Sequence, residues 1–144
     1  MALGYQTKRH NLAVQELTLR KRFPESQSRI KRSELIWECD LQPSPLSAVY
    51  RVCLRYRLKG IPKVNVLTPQ LQMREDDQPP HMYSYAEQRL CLYLPEADEW
   101  DGSMLLAKTV IPWTCEWLLQ YEVWLVTGEW RGPGKHPGGD FIPE

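Results

Sequence analysis

His81-Met82-Tyr83-Ser84-Tyr85-Ala86-Glu87-Gln88-Arg89-Leu90-Cys91-Leu92 sets a histidine ten residues before a cysteine that leucines flank on both sides. The first half is polar and turn-like. The second alternates with the period of a strand, with Leu90, Leu92 and Leu94 on one face and Arg89, Cys91 and Tyr93 on the other. Cys91 thus falls on the less apolar face, where a thiol can be reached. That placement fits a nucleophile better than a core residue.

Upstream, Asn11 to Phe23 reads as a short helix with Leu12, Ala13, Leu17 and Phe23 as its apolar face, ended by Pro24. Ile30 to Leu41 reads as a strand, with Leu35, Trp37, Cys39 and Leu41 on one face, which makes Cys39 a core residue. Pro43-Ser44-Pro45 is a turn. Tyr50 to Leu58 is the cleanest strand: Tyr50, Val52, Leu54, Tyr56 and Leu58 face in, and Arg51, Cys53, Arg55 and Arg57 face out. Lys59-Gly60-Ile61-Pro62 turns into a strand over Lys63 to Thr68, and short turns between such segments imply a four-stranded antiparallel meander. Residues 69 to 89 read as a long irregular connection that leads to Cys91, and such connections are commonly functional. Leu105 to Thr127 is helical in pattern. Either Pro112 opens the main helix at its first turn or the helix kinks there, and Gly128 stops it.

The chain has 144 residues and zero formal net charge, which fits one domain over 1–144 with 1–9 and 131–144 as extended or mobile ends. It carries no run long enough to span a membrane and no signal-peptide core, so a cytoplasmic protein with reduced cysteines is expected. The four cysteines form no Cys-x-x-Cys pair, which argues against structural zinc. No glycine loop followed by lysine marks an ATP site, so no cofactor is expected. Residues 1–35 carry eight Lys/Arg against three Asp/Glu, and residues 74–101 carry two Arg against eight Asp/Glu. The basic arm either is a solvated face or docks a protein. Without interleaved aromatics or net positive charge it does not fit nucleic acid.

The residues around Cys91 resemble the active-site segment of ubiquitin-conjugating enzymes, in which a His-Pro-Asn motif leads to an Ile/Leu-Cys-Leu triplet at the same spacing. Tyr50-Arg51-Val52-Cys53-Leu54-Arg55-Tyr56-Arg57-Leu58 looks like that family's second strand and Ile61-Pro62-Lys63-Val64-Asn65-Val66-Leu67-Thr68 like its third. Trp100 follows Cys91 by nine residues, and a long apolar helix comes after it. Ile111-Pro112-Trp113-Thr114, Glu116-Trp117-Leu118, Tyr121-Glu122, Trp124-Leu125 and Thr127-Gly128-Glu129-Trp130 resemble the conjugating-enzyme-like protein of short type II CBASS operons, which encode cyclic-oligonucleotide-based anti-phage signalling. The resemblance runs from about residue 10 to the end. It implies an α+β ubiquitin-conjugating (UBC-like) fold, a four-stranded antiparallel meander with an N-terminal helix and a long C-terminal helix, shortened at the C-terminus.

It also implies roles. Cys91 would carry an acyl group as a thioester, because a thiolate is nucleophilic near neutral pH and its ester stays open to amines. His81 matches the family histidine, which braces the loop by hydrogen bonds. Tyr83 stands at the position of the asparagine that stabilises the oxyanion; a phenol can donate there, with different reach and angle. Met82 replaces the proline. Asp98, Glu99 and Asp101 follow where the family often has an acid near the amine. The implied partner is the C-terminal glycine of a cGAS/DncV-like nucleotidyltransferase, and the implied role is regulation of its signal synthesis. Two other functions stay open: an inactive UBC-like module that binds the nucleotidyltransferase, and a cysteine hydrolase with His81 as base. Cys53, between Arg51 and Arg55, is a rival thiol whose pKa those cations could lower, or a plain sheet-covering residue. Cys115 and the tryptophans read as packing.

Overall fold

The computed structural model describes residues 8–93, 97 and 99–131. Asn11 caps the first helix, α1 (Leu12–Arg22), by accepting the Val14 N–H on its side-chain oxygen at 2.9 Å. The buried positions of α1 are Leu12, Gln15 and Leu19, spaced three and four apart. The expected face fails at Ala13, which is exposed, and at Leu17, which is 66% exposed. Burial goes instead to Gln15, because hydrogen bonds cover its polarity. Its Nε2 donates to the Met104 carbonyl and its Oε1 accepts the Leu106 N–H, both at 2.9 Å. Gln15→Ala leaves both backbone groups without these partners, and chemical denaturation should show a loss of about 2–3 kcal/mol.

Six antiparallel strands follow in one sheet: β1 (Gln27–Lys31), β2 (Glu34–Leu41), β3 (Tyr50–Tyr56), β4 (Lys63–Thr68), β5 (Met82–Ser84) and β6 (Arg89–Leu90), in the order β1-β2-β3-β4-β6-β5. The strand expected from Ile30 to Leu41 is a hairpin. Lys31 pairs with Glu34 across Arg32 and Ser33, whose φ values of 52° and 63° are those of a turn that follows the sheet twist. β3 ends at Tyr56, short of Leu58, which is 49% exposed. The connection expected to be irregular from 69 to 89 contains β5 and opens into β6, so the sheet has six strands where four were expected.

One face of the sheet is the core. Leu35, Trp37, Cys39 and Leu41 from β2, Tyr50, Val52, Leu54 and Tyr56 from β3, and Val64 and Val66 from β4 are all buried there. Against them lie α1, a 3-10 helix (Leu106–Lys108) and α2 (Val110–Thr127), which buries Val110, Ile111, Thr114, Trp117, Leu118, Tyr121 and Trp124. Pro112 sits in the first turn of α2, where a missing N–H costs nothing. Gly128 ends α2 in the left-handed region at φ 81°, its N–H bonded to the Trp124 carbonyl at 2.7 Å. No helix among the described residues is long and apolar enough to cross a membrane. The ends expected to be extended lie largely outside the described residues, at 1–7 and 132–144.

Candidate active site

The ten-residue spacing of His81 and Cys91 is the length of one closed hairpin. β5 and β6 pair antiparallel, and the Cys91 N–H closes the pair onto the His81 carbonyl at 2.9 Å. Inside the hairpin the Gln88 N–H bonds the Tyr85 carbonyl at 3.0 Å and the Glu87 N–H bonds the Ser84 hydroxyl at 3.1 Å. Gln88 also fastens the hairpin to the preceding connection. Its Oε1 accepts the Leu71 N–H at 2.5 Å, and the Tyr85 hydroxyl donates to the Leu71 carbonyl at 2.6 Å. On the other side β6 pairs with β4 through Arg89 and Asn65. Cys91 is therefore set by backbone bonds on both flanks.

Through its backbone, His81 ties the hairpin to α2. Its carbonyl accepts a second donor, the Trp117 Nε1–H from α2, at 3.0 Å. Its ring is 2% exposed and meets Trp130 edge-on at 5.0 Å. Trp130 in turn lies 5.1 Å from Trp117. The hairpin end carrying the candidate nucleophile is thus anchored to the long helix by two tryptophans. Sequence reasoning placed both in the core and gave neither a role at the site.

Cys91 itself is buried, at 1% exposure, and not on a reachable face. The alternation expected through Tyr93 stops early: β6 ends at Leu90, so strand period no longer sets the direction of the next side chain. The Cys91 thiol donates to the Tyr93 carbonyl at 3.6 Å. The Tyr83 hydroxyl donates to the same carbonyl, in a long bond of 3.5 Å. The structure therefore brings Cys91 and Tyr83 to one acceptor, with His81 behind them. Glu99 is half-buried. Asp101 is exposed, and its carboxylate caps a turn by accepting the Ser103 N–H at 2.8 Å and the Ser103 hydroxyl, bonds that hold its pKa below the usual value. Asp98 lies outside the described residues. The Tyr93 ring lines a neighbouring surface cleft of ≈ 200 Å³, with Arg9, Lys59, Ile61, Trp100 and Asp101.

The model of the type II CBASS E2 protein family matches residues 15–137, so it takes in the whole hairpin, its helical anchor and all six strands. The chain belongs to that family. No curated protein matches it.

This CBASS E2 protein has three further thiols, Cys39, Cys53 and Cys115. Cys53 is buried on the outer sheet face, and burial raises its pKa against the opposing pull of Arg55. The idea that flanking arginines activate it is thus reversed. Burial also raises Cys39 and Cys115. A raised thiol pKa means less thiolate at neutral pH. Iodoacetamide near neutral pH should therefore alkylate Cys53 more slowly than a free cysteine, by mass mapping; equal rates would return Cys53 to candidacy. Among the described residues no group of three or more His, Cys, Asp or Glu is placed to hold a metal.

Proposed function

We propose that this CBASS E2 protein is a cytoplasmic, single-domain acyl carrier of UBC-like fold. Cys91 would hold the C-terminal glycine of a cGAS/DncV-like nucleotidyltransferase as a thioester and so regulate anti-phage cyclic-nucleotide signalling. The observation that carries this reading is the convergence of the Cys91 thiol and the Tyr83 hydroxyl on the Tyr93 carbonyl. A nucleophile and a donor suited to the developing oxyanion then sit side by side. Family membership supports the same direction.

The step balances as follows. The acyl donor arrives activated, as an acyl adenylate or a thioester made elsewhere. The Cys91 sulfur gives its proton to solvent and attacks the glycyl carbonyl carbon. A carbon–sulfur bond forms, the carbonyl oxygen takes negative charge, and Tyr83 donates to it. The oxyanion collapses, and AMP or the donor thiol leaves with the electron pair. A primary amine later displaces the sulfur in the same manner. Because Cys91 is 1% exposed, the thiol has to be uncovered before the donor can reach it.

That burial favours one other reading, a binding module that holds the nucleotidyltransferase without covalent chemistry. The edge-on seating of His81 against Trp130 supports a brace over the general base that a hydrolase needs. Co-expression with the nucleotidyltransferase from the same operon, followed by non-reducing gels, tests the carrier. An adduct that thiol reagents cleave supports it. Stable association without any adduct sinks it in favour of the binding module.

A further inference from the structure

Arg89 sets its charge on an aromatic ring and against no carboxylate among the described residues. Its guanidinium lies 4.7 Å above the centre of the Tyr83 ring, within cation–π range. Among the described residues it forms no ion pair, in contrast to Arg51 and Arg55 on β3 and Arg57 just after it, which all pair with carboxylates of β2. Its Nε is buried without a hydrogen-bond partner. A desolvated donor left unmatched carries a cost that ordinary packing avoids, so it invites a functional explanation. Its backbone is fixed, because Arg89 pairs with Asn65 of β4 on one side and Ser84 of β5 on the other.

The charge also acts on Tyr93, whose carbonyl accepts from both the Cys91 thiol and the Tyr83 hydroxyl. The Tyr93 phenol is pushed up to about 12, chiefly by burial, and both Arg89 and Cys91 act on it, the cation lowering and the thiol raising. Arg89, Tyr83, Cys91 and Tyr93 therefore form one electrostatic neighbourhood, held on a rigid hairpin.

We propose that Arg89 is a positioning residue for acyl transfer at Cys91, a cation stacked on Tyr83 that holds the phenol hydroxyl beside the thiol and favours the negative charge of the transition state. This rests on the carrier reading above. In the resting protein the Tyr83 hydroxyl is parked on the neutral Tyr93 carbonyl. When the glycyl carbonyl oxygen becomes negative, it is the stronger acceptor and the hydroxyl turns to it. The guanidinium keeps the ring in place for that turn and adds its own field, which is worth most in a water-poor site.

The test is single-turnover acylation of Cys91 by a synthetic glycine-terminated peptide thioester, followed by intact mass, with thermal melting as the check on folding. Arg89→Gln and Tyr83→Phe should each slow acylation about 10- to 100-fold. Arg89→Lys, which keeps the charge, should recover most of the loss. The double variant should be no slower than the slower single, because one residue acts through the other. Wild-type rates in Arg89→Gln overturn the assignment, as do losses that multiply in the double variant. Equal losses in Arg89→Gln and Arg89→Lys with lowered melting temperatures also overturn it, since they show packing alone. No acylation of the wild-type protein overturns the carrier reading itself, and this proposal with it.

Discussion

Trp117→Ala lowers the free energy of unfolding by about 3–5 kcal/mol in a denaturant titration with unchanged slope. Three losses coincide in that one substitution. The indole is 4% exposed, so its removal opens a cavity between α2 and the hairpin. It is stacked on Tyr121 at 6.0 Å with an interplanar angle of 10°, and it tilts against Trp130. Its Nε1–H is one of two donors on the His81 carbonyl, the other being the Cys91 N–H. Trp117→Phe separates these contributions. It keeps most of the ring and drops the hydrogen bond, and since the carbonyl retains the Cys91 N–H, the cost falls to about 1–2 kcal/mol. An alanine variant as stable as wild type would show that the hairpin does not depend on its helical anchor.

If Cys91 is the proposed carrier, Cys91→Ala abolishes the covalent adduct with the nucleotidyltransferase altogether, and Cys91→Ser changes its chemistry. A serine at the same place yields an oxygen ester. That bond survives thiol reagents which cleave a thioester, because an alkoxide is a far poorer leaving group than a thiolate. It yields to strong base. The serine adduct accumulates slowly, since a hydroxyl is a much weaker nucleophile than a thiol near neutral pH. Both variants fill nearly the same buried volume, so folding changes little. Non-reducing gels with intact mass read the outcome. An adduct that persists in Cys91→Ala, or stays thiol-sensitive in Cys91→Ser, moves the bond to another cysteine, with Cys53 first in line.

What the sequence reveals depends on whether local pattern or distant contact decides a residue's place. The inward set of β3, from Tyr50 to Tyr56, is legible because large apolar residues alternate with arginines and a cysteine, and the alternate large ones meet the core. The inward set of β2, including Cys39, follows the same logic. The turn at Arg32 and Ser33 is hidden because neither residue advertises a left-handed conformation as glycine or asparagine does. Gln15 is hidden because its burial depends on backbone groups that only the folded chain presents to it. β5 and β6 are three and two residues long, too short for any period to register. At the site, the His81–Cys91 spacing is visible, but its meaning as a hairpin closure requires the register. Arg89 is visible on the face of Cys91 and Tyr93, and only the stacking on Tyr83 gives it a role.

The bonds that Gln15 makes to Met104 and Leu106 join positions 89 and 91 residues apart in the chain. Closing so long a loop is slow compared with forming local turns, and it needs both partners present. A growing chain on the ribosome exposes Cys91 before Trp117, so the His81 carbonyl waits for its second donor until α2 has been made. The surroundings of Cys91 consequently stay incomplete until α2 joins the hairpin. A product truncated before α2 carries the cysteine on a hairpin that lacks its helical anchor.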